Sequence, residues 1–311
     1  MRPLKVAIVG FGKIAADQHV PSIQANPRLE LAATVSRQGK GTEGVPSFTS
    51  PQEMLEADLA LDAVAITTPP SVRYGIARDC IEAGLHVMLE KPPAVTLSEI
   101  EDLACLAEAR QVTLQTTWHS QHNPAVTAAA QALAGRRIAS MQVTWHEDVR
   151  KWHPGQEWIF EAGGFGVFDP GINAFSILMK IFPGSLFVRE AELRFPEKRQ
   201  APIAAEIAFT SPVAEGDLRC SLNFRHSGAE AWNIDIRTAD GLSVILREGG
   251  SELELDGKPQ AVSGPGEYPD LYREFVDLID ARRSKVDVRP LRLVADTYLV
   301  GRRSIVEPFD F

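Results

Sequence analysis

The chain has 311 residues, 44% hydrophobic and 23% charged, with a formal net charge of −9. At about 150 residues per domain the length predicts two domains, and a chain of this size can bury about 75% of its unfolded surface without a disulfide or metal staple. The apolar fraction excludes a disordered chain. The longest apolar runs, about seven residues, fall far short of the roughly 20 that span a bilayer, and the acidic balance argues against the phosphate neutralisation that nucleic-acid binding needs.

In chain order, Leu4–Val9 is a compact apolar run ending at Gly10, and a helical pattern follows from about residue 12. Leu29–Val35 reads as a second strand. Residues 61–67 form a third, stopped by Pro69 and Pro70, with Ser71 placed to cap a helix that reaches about residue 83. Gly84 ends that helix, and residues 85–90 form another short strand, stopped by Pro92 and Pro93. Thr96 or Ser98 caps a long helix to about residue 111, with Glu99 or Glu101 as first-turn negative charge, and residues 112–117 make one more strand. Short apolar strands alternating with helices predict a parallel sheet covered on both faces.

Beyond about residue 118 the pattern changes. Residues 138–145, 204–209, 218–224, 234–238 and 242–246 alternate apolar and polar side chains, and Asp240-Gly241 marks a hairpin between the last two. This predicts a large, mostly antiparallel, open sheet with one face covered, accompanied by helices near residues 172–182, 269–283 and 289–303. The charge is spread over both parts, −4 in residues 1–120 and −5 in the remainder, so neither is an acidic tail.

Gly10-Phe11-Gly12-Lys13-Ile14-Ala15 is G-x-G-x-x-A, placed between the first strand and the first helix. The first glycine permits a tight turn, the second lets backbone approach a pyrophosphate, and the small third residue lets helix and strand pack closely. The helix N-terminus then presents free N–H groups and partial positive charge to the anion. The expected fold is therefore α/β, with a Rossmann dinucleotide-binding domain over residues 1–120 and an α+β domain for substrate binding and oligomerisation over residues 121–311. Ligands in such parallel sheets bind beyond the carboxyl ends of the strands. Expected cofactor contacts are thus Gly10, Gly12, Lys13 and Ile14, then Thr67, Thr68 and Pro69, then Glu90 and Lys91. The end of the second strand reads Val35-Ser36-Arg37, a hydroxyl and a guanidinium where an NAD-selective site carries a carboxylate. That pair suits a 2′-phosphate, so NADP is the expected cofactor, with NAD also accepted.

Lys91 follows a parallel strand, and Pro92 biases it toward an extended conformation. Beside a cationic nicotinamide and partly removed from water, an amine sheds its proton more readily and can take one from a substrate hydroxyl near neutral pH. Asp169 is placed to cap a helix with Pro170 at its first position, and Asn173, four residues on, shares its face. A carboxylate and an amide on one face, turned to a cleft between domains, suit vicinal hydroxyls. Residues 118–158 concentrate four of the seven histidines (His119, His122, His146, His153) and four of the five tryptophans (Trp118, Trp145, Trp152, Trp158), with Glu147 and Asp148 among them. Tryptophan faces with polar neighbours suit a sugar ring. For each residue singly, core aromatics and surface histidines are the better account. His119 and His122 are spaced H-x-x-H, not the H-E-x-x-H of zinc hydrolases, so no metal is expected.

Three elements now stand in order: G-x-G-x-x-A at 10–15, Glu90-Lys91-Pro92, and Asp169-x-x-x-Asn173 after a glycine run. This order resembles the glucose–fructose oxidoreductase/inositol dehydrogenase-like family, Gfo/Idh/MocA, over the whole chain. Within it, Thr117-Trp118-His119-Ser120, the run Trp152-His153-Pro154-Gly155-Gln156 and the run Phe168-Asp169-Pro170-Gly171-Ile172-Asn173 look like the bacterial 1-dehydrogenases of L-arabinose and D-galactose. The resemblance implies oxidation of an aldopyranose at C1 to the aldonolactone, with Lys91 as catalytic lysine. Many members carry His where this chain has Asn173, which cannot titrate. Proton abstraction then rests on Lys91, with Asp169 assisting and Asn173 positioning the C1 hydroxyl. His119, Glu147, His153, Asp169 and Asn173 are expected on the hydroxyl belt, and Trp152 or Trp232 on the ring face. Members of the family often pair through the open sheet, so a homodimer is expected.

Competing expectations are a non-catalytic sugar or dinucleotide sensor on the same fold, a dehydrogenase for another polyol such as an inositol, and a metal hydrolase using the histidine cluster. Cys80, Cys105 and Cys220 are an odd number at wide spacings with no C-x-x-C, the usage of a reducing compartment. The first apolar stretch is short and runs into the glycine motif rather than a cleavage site, so a cytoplasmic protein is expected.

Overall fold

The computed structural model describes residues 2–311, and the chain divides into two compact units: Met1–His119 with Pro265–Val288, and Ser120–Gly264 with Arg289–Phe311. The first unit is built on six parallel strands, β1 (Leu4–Val9), β2 (Leu29–Val35), β3 (Ser47–Phe48), β4 (Ala63–Ile66), β5 (His86–Leu89) and β6 (Leu114–Thr116). Their spatial order is β3-β2-β1-β4-β5-β6, so the order reverses between β1 and β4, the switch point at which such sheets open a crevice for a dinucleotide. β1, β4 and β5 are almost fully buried, as apolar runs sandwiched between two helical layers must be. A π-helical turn, Ala15–His19, leads into α1 (Val20–Ala25), followed by α2 (Pro51–Glu56), α3 (Pro70–Glu82) and α4 (Leu97–Ala109). α4 opens on a capping box: the Thr96 side chain accepts from Glu99 N–H while the Glu99 carboxylate accepts from Thr96 N–H. α3 has no such cap. Pro69 precedes its first residue and Ser71 lies inside its first turn, because Pro70 already supplies a preset helical φ.

The second unit is a nine-stranded sheet with one helical layer. α5 (Pro124–Leu133), α6 (Val149–Trp152) and α7 (Phe168–Ile181) accompany β7 (Ile138–His146), β8 (Phe187–Pro196), β9 (Ala204–Thr210), β10 (Leu218–Asn223), β11 (Ala231–Thr238), β12 (Ser243–Arg247), β13 (Glu252–Leu255) and β14 (Lys258–Pro259). β11 and β12 form the hairpin expected at Asp240-Gly241, with Gly241 at φ +95°. α7 lies close on the sheet: a Cβ on Gly171 would stand 2.6 Å from Leu222.

After Gly264 the chain rejoins the first unit through α8 (Glu267–Asp280), then completes the second with α9 (Arg289–Val300) and β15 (Arg302–Val306). The sequence reading placed all residues beyond 120 in the second domain, and residues 265–288 correct it. The cause is the apolar stripe of α8. Leu271, Tyr272, Phe275, Val276 and Ile279 pack with Val6, Ile8, Ile23, Ala65 and Met88 over one face of the parallel sheet. The nine-stranded order is β14-β13-β12-β11-β7-β10-β9-β8-β15, with β10–β7 and β15–β8 parallel and the other pairs antiparallel. β8 and β15 are strands that the pattern does not announce, because their exposed positions carry Glu190, Arg302 and Arg303 in place of a clean alternation.

Candidate active site

In the first unit the glycine turn follows β1. Gly10 sits at φ +103°, and a Cβ there would stand 2.7 Å from Thr68 N, so both conformation and close approach demand glycine. Gly10 and Phe11 donate their N–H groups to Val35 O at 2.9 and 3.1 Å, and the Thr67 hydroxyl donates to Gly10 O. Gly12 differs in kind: a Cβ there would meet nothing within 4 Å. Backbone at Gly12 therefore faces open space beside a helix start whose first amides lack partners within the helix. The Thr68 hydroxyl is buried and without a hydrogen-bond partner among the described residues. A pinned turn, an open approach and an orphaned hydroxyl beside it fit a dinucleotide pyrophosphate. Of the other expected contacts here, Ile14 is 40% exposed, Pro69 is exposed and Lys13 pairs with Asp17 at the surface.

Beyond β2, Ser36 is half-buried and Arg37 exposed. The Ser36 hydroxyl donates to Lys40 O at 2.8 Å, and Ser36 N–H donates to Phe48 O at 3.0 Å. The loop is thus held by its own backbone, with the guanidinium projecting from it. To serve a phosphate, an acceptor only, the Ser36 hydroxyl would turn from Lys40 O to the ligand.

After β5 the segment Glu90-Lys91-Pro92, with a cis Lys91–Pro92 peptide, is gripped from two sides. The buried Arg73 guanidinium donates to the carbonyl oxygens of Glu90, Pro92 and Thr68. The Glu90 carboxylate, its residue 4% exposed, takes Lys91 N–H on Oε2 at 2.6 Å and the Tyr268 hydroxyl on Oε1 at 2.7 Å. His19 Nε2 lies 3.3 Å from the same Oε1, and His19 Nδ1 lies 2.8 Å from the Tyr272 hydroxyl. Burial alone would raise the Glu90 carboxyl, but the His19 hydrogen bond, the charges of His119 and His19, and the Tyr268 hydroxyl hold it well below the usual carboxylate range. Burial and the Glu90 charge push both tyrosines well up, so both remain donors. His119 stacks on Tyr268, ring centres 5.2 Å apart, with Nδ1 2.9 Å from Glu267 Oε2. Burial would lower the His119 imidazole. The Glu267 charge and hydrogen bond, then Glu90, raise it above its ordinary value against the opposing charge of Lys91. Glu90, expected beside the cofactor, therefore has its carboxylate committed to a buried network. His19, Arg73, Glu267, Tyr268 and Tyr272 of that network escape sequence reading.

The second unit gathers the other expected residues into two groups. His153 Nε2 lies 3.2 Å from Asp169 Oδ2, and its ring packs edge-on against Trp158 and Phe224. Asp169 is not the helix cap expected from sequence. α7 begins two residues earlier than expected, at Phe168, because Gly166, at φ +53° and closed in by Pro202 O, turns the chain first. Asp169 lies in the first turn, 4% exposed, with half-buried Asn173 one turn on. In the second group Trp232 Nε1 donates to Glu147 Oε2 at 2.7 Å, and Trp152 Nε1 donates to Glu230 Oε1 at 2.6 Å. The two indoles lie 5.8 Å apart, and Trp152 is 42% exposed. This pairs a part-exposed indole, with the Lys151 ammonium 4.9 Å from its ring centre, with a buried carboxylate (Glu147, 6% exposed), the two chemistries a sugar ring requires. Glu230 and the Lys151 ammonium it binds are further members that no motif signals. Among the described residues no group of three or more His, Cys, Asp and Glu side chains could hold a metal ion. Among the same residues no helix is long and apolar enough to cross a membrane.

Residues 4–118 match the model of the oxidoreductase family with an NAD-binding Rossmann fold, GFO_IDH_MocA. The chain is 46% identical over 309 residues to the galactose 1-dehydrogenase of Pseudomonas fluorescens, covering 99% of each. It superposes on the crystal structure of a D-galactose-1-dehydrogenase from Rhizobium etli with a TM-score of 0.93 and 48% identity, covering 100% of this chain and 99% of that one. A 3-ketoreductase from Actinomadura kijaniata, solved with NADP and TDP-benzene, shares the fold alone: TM-score 0.83 and 19% identity, over 98% of this chain and 99% of the other.

Proposed function

The chain belongs to the Gfo/Idh/MocA oxidoreductase family, and from that premise we propose that it oxidises an aldopyranose at C1 to the aldonolactone. The proposed substrates are D-galactose, L-arabinose or both, which share their ring-hydroxyl configuration and differ at C5. NADP is the proposed preferred cofactor, with NAD as the second. The observation that carries this reading is similarity along the full length to galactose 1-dehydrogenases of two bacteria.

The chain's own residues divide the work by unit. When bound, the nicotinamide supplies the hydride acceptor. Gly10, Gly12 and the helix start hold the pyrophosphate, Ile14, Thr67, Thr68 and Pro69 flank it, and Ser36 with Arg37 binds the 2′-phosphate. Lys91 takes the C1 hydroxyl proton as the C1–H bond breaks, leaving a carbonyl at C1. In the second unit Glu147, His153, Asp169 and Asn173 bind hydroxyls, and Trp152 with Trp232 covers the ring face. His153 fixes the Asp169 carboxylate, and the Asn173 amide binds a hydroxyl beside it. The free thiols of Cys80, Cys105 and Cys220 accord with a reducing, cytoplasmic setting.

The test is a panel of aldoses and inositols offered with NADP and with NAD. The proposal expects reduced nicotinamide and one equivalent of lactone from D-galactose and L-arabinose, with NADP the better acceptor. Binding of these sugars without turnover would make the protein a sensor and overturn the reading.

A further inference from the structure

Lys91 cannot act as a base unless its backbone is fixed, because an amine on a four-carbon stem inherits every displacement of its Cα. The chain fixes that backbone with charge. Arg73 holds the carbonyl oxygens on either side of Lys91, and one oxygen of the Glu90 carboxylate takes the Lys91 N–H at 2.6 Å. The other oxygen takes the hydroxyl of Tyr268, from a helix 178 residues further along the chain, with His19 at 3.3 Å. Among the described residues, the groups hydrogen-bonded to this carboxylate all donate when His19 carries a proton on Nε2. Such a pocket needs an acceptor at both ends. An amide of the same shape accepts at one end only: with its NH2 toward Lys91 N–H a buried donor faces a donor, and with its NH2 toward Tyr268 the hydroxyl must turn from donor to acceptor.

We propose that Glu90 is a positioning residue for the proposed base Lys91, an ionised buried carboxylate that ties the end of β5 to Tyr268 on α8. It touches neither sugar nor cofactor in this role and acts only through where it holds Lys91. The inference rests on Lys91 as the base, so its test carries Lys91→Ala as a control.

The experiment is a double-mutant cycle between Glu90→Gln and Lys91→Ala, read with D-galactose and NADP. In the parent background Glu90→Gln is expected to lower kcat about tenfold or more while sugar KM and NADPH binding by fluorescence move less than about threefold. In the Lys91→Ala background the same change is expected to alter the residual rate less than about twofold, since there is no amine left to misplace. Deuterium exchange of the peptide spanning Lys91, free of any turnover, is expected to quicken in Glu90→Gln. If Glu90→Gln does not fold, Tyr268→Phe, which keeps the carboxylate and removes one donor, is expected to give a smaller loss in kcat with the same non-additivity. Equal losses in both backgrounds, or an unchanged kcat and exchange rate in Glu90→Gln, would overturn the inference. If Lys91→Ala itself keeps turnover near the parent's, the proposed base has failed instead, and the two results are distinct.

Discussion

Trp232 donates its indole N–H to the Glu147 carboxylate at 2.7 Å, so the second unit presents an aromatic ring and a buried acid as one construction. A hydrogen bond to a charged group contributes about 1.5–3 kcal/mol. Trp232→Phe keeps a ring but removes this donor. The expected outcome is a sugar KM raised about tenfold with kcat changed less, measured by initial rates. A kcat loss at unchanged KM would place Trp232 with the chemistry rather than with sugar binding.

The two glycines of the turn give opposite expectations. Gly10→Ala forces a Cβ to within 2.7 Å of Thr68 N at φ +103°, and a loss of at least about 2 kcal/mol of stability is expected. Gly12→Ala meets no protein atom within 4 Å and is expected to cost less than about 1 kcal/mol while weakening NADPH binding. Thermal melts with and without cofactor separate the two, and a stable Gly10→Ala would contradict the geometry.

Arg37 is exposed beyond β2, where a 2′-phosphate reader belongs. Arg37→Ala is expected to raise KM for NADP about tenfold or more and KM for NAD less than twofold. Equal changes would remove Arg37 from phosphate recognition.

His119 is raised above its ordinary value of 6.5 by Glu267, with help from Glu90, against burial and the charge of Lys91. A raised histidine contributes stability that is complete below the unfolded value and is lost as pH rises through the folded one. The melting-temperature gap between the parent and His119→Gln is therefore expected to be widest below the ordinary value of 6.5 and to narrow as pH rises above it. A gap that widens with pH would contradict the pairing.

What could be read from sequence was local. The strand, glycine turn and helix at Leu4–Ala25 follow from adjacent residues, and so does the hairpin at Asp240-Gly241. What escaped depends on partners far along the chain. The stripe of α8 announces an apolar face but not which sheet it covers. Tyr268 and Tyr272, one turn apart on that stripe, carried the one clue, since buried hydroxyls need partners. Their partners, His19 and Glu90, lie up to 253 residues away, and no spacing rule reaches them. Asp169 shows the converse failure: a local rule named it a cap, and the turn at Gly166 started the helix earlier.

In the proposed reaction Lys91 removes the C1 hydroxyl proton. Steady-state oxidation of D-galactose by Lys91→Ala, alongside NADPH binding by fluorescence, tests it most directly. The expected result is a rate lowered at least about a thousandfold with cofactor affinity retained within about threefold. Turnover by Lys91→Ala within about tenfold of the parent would contradict it.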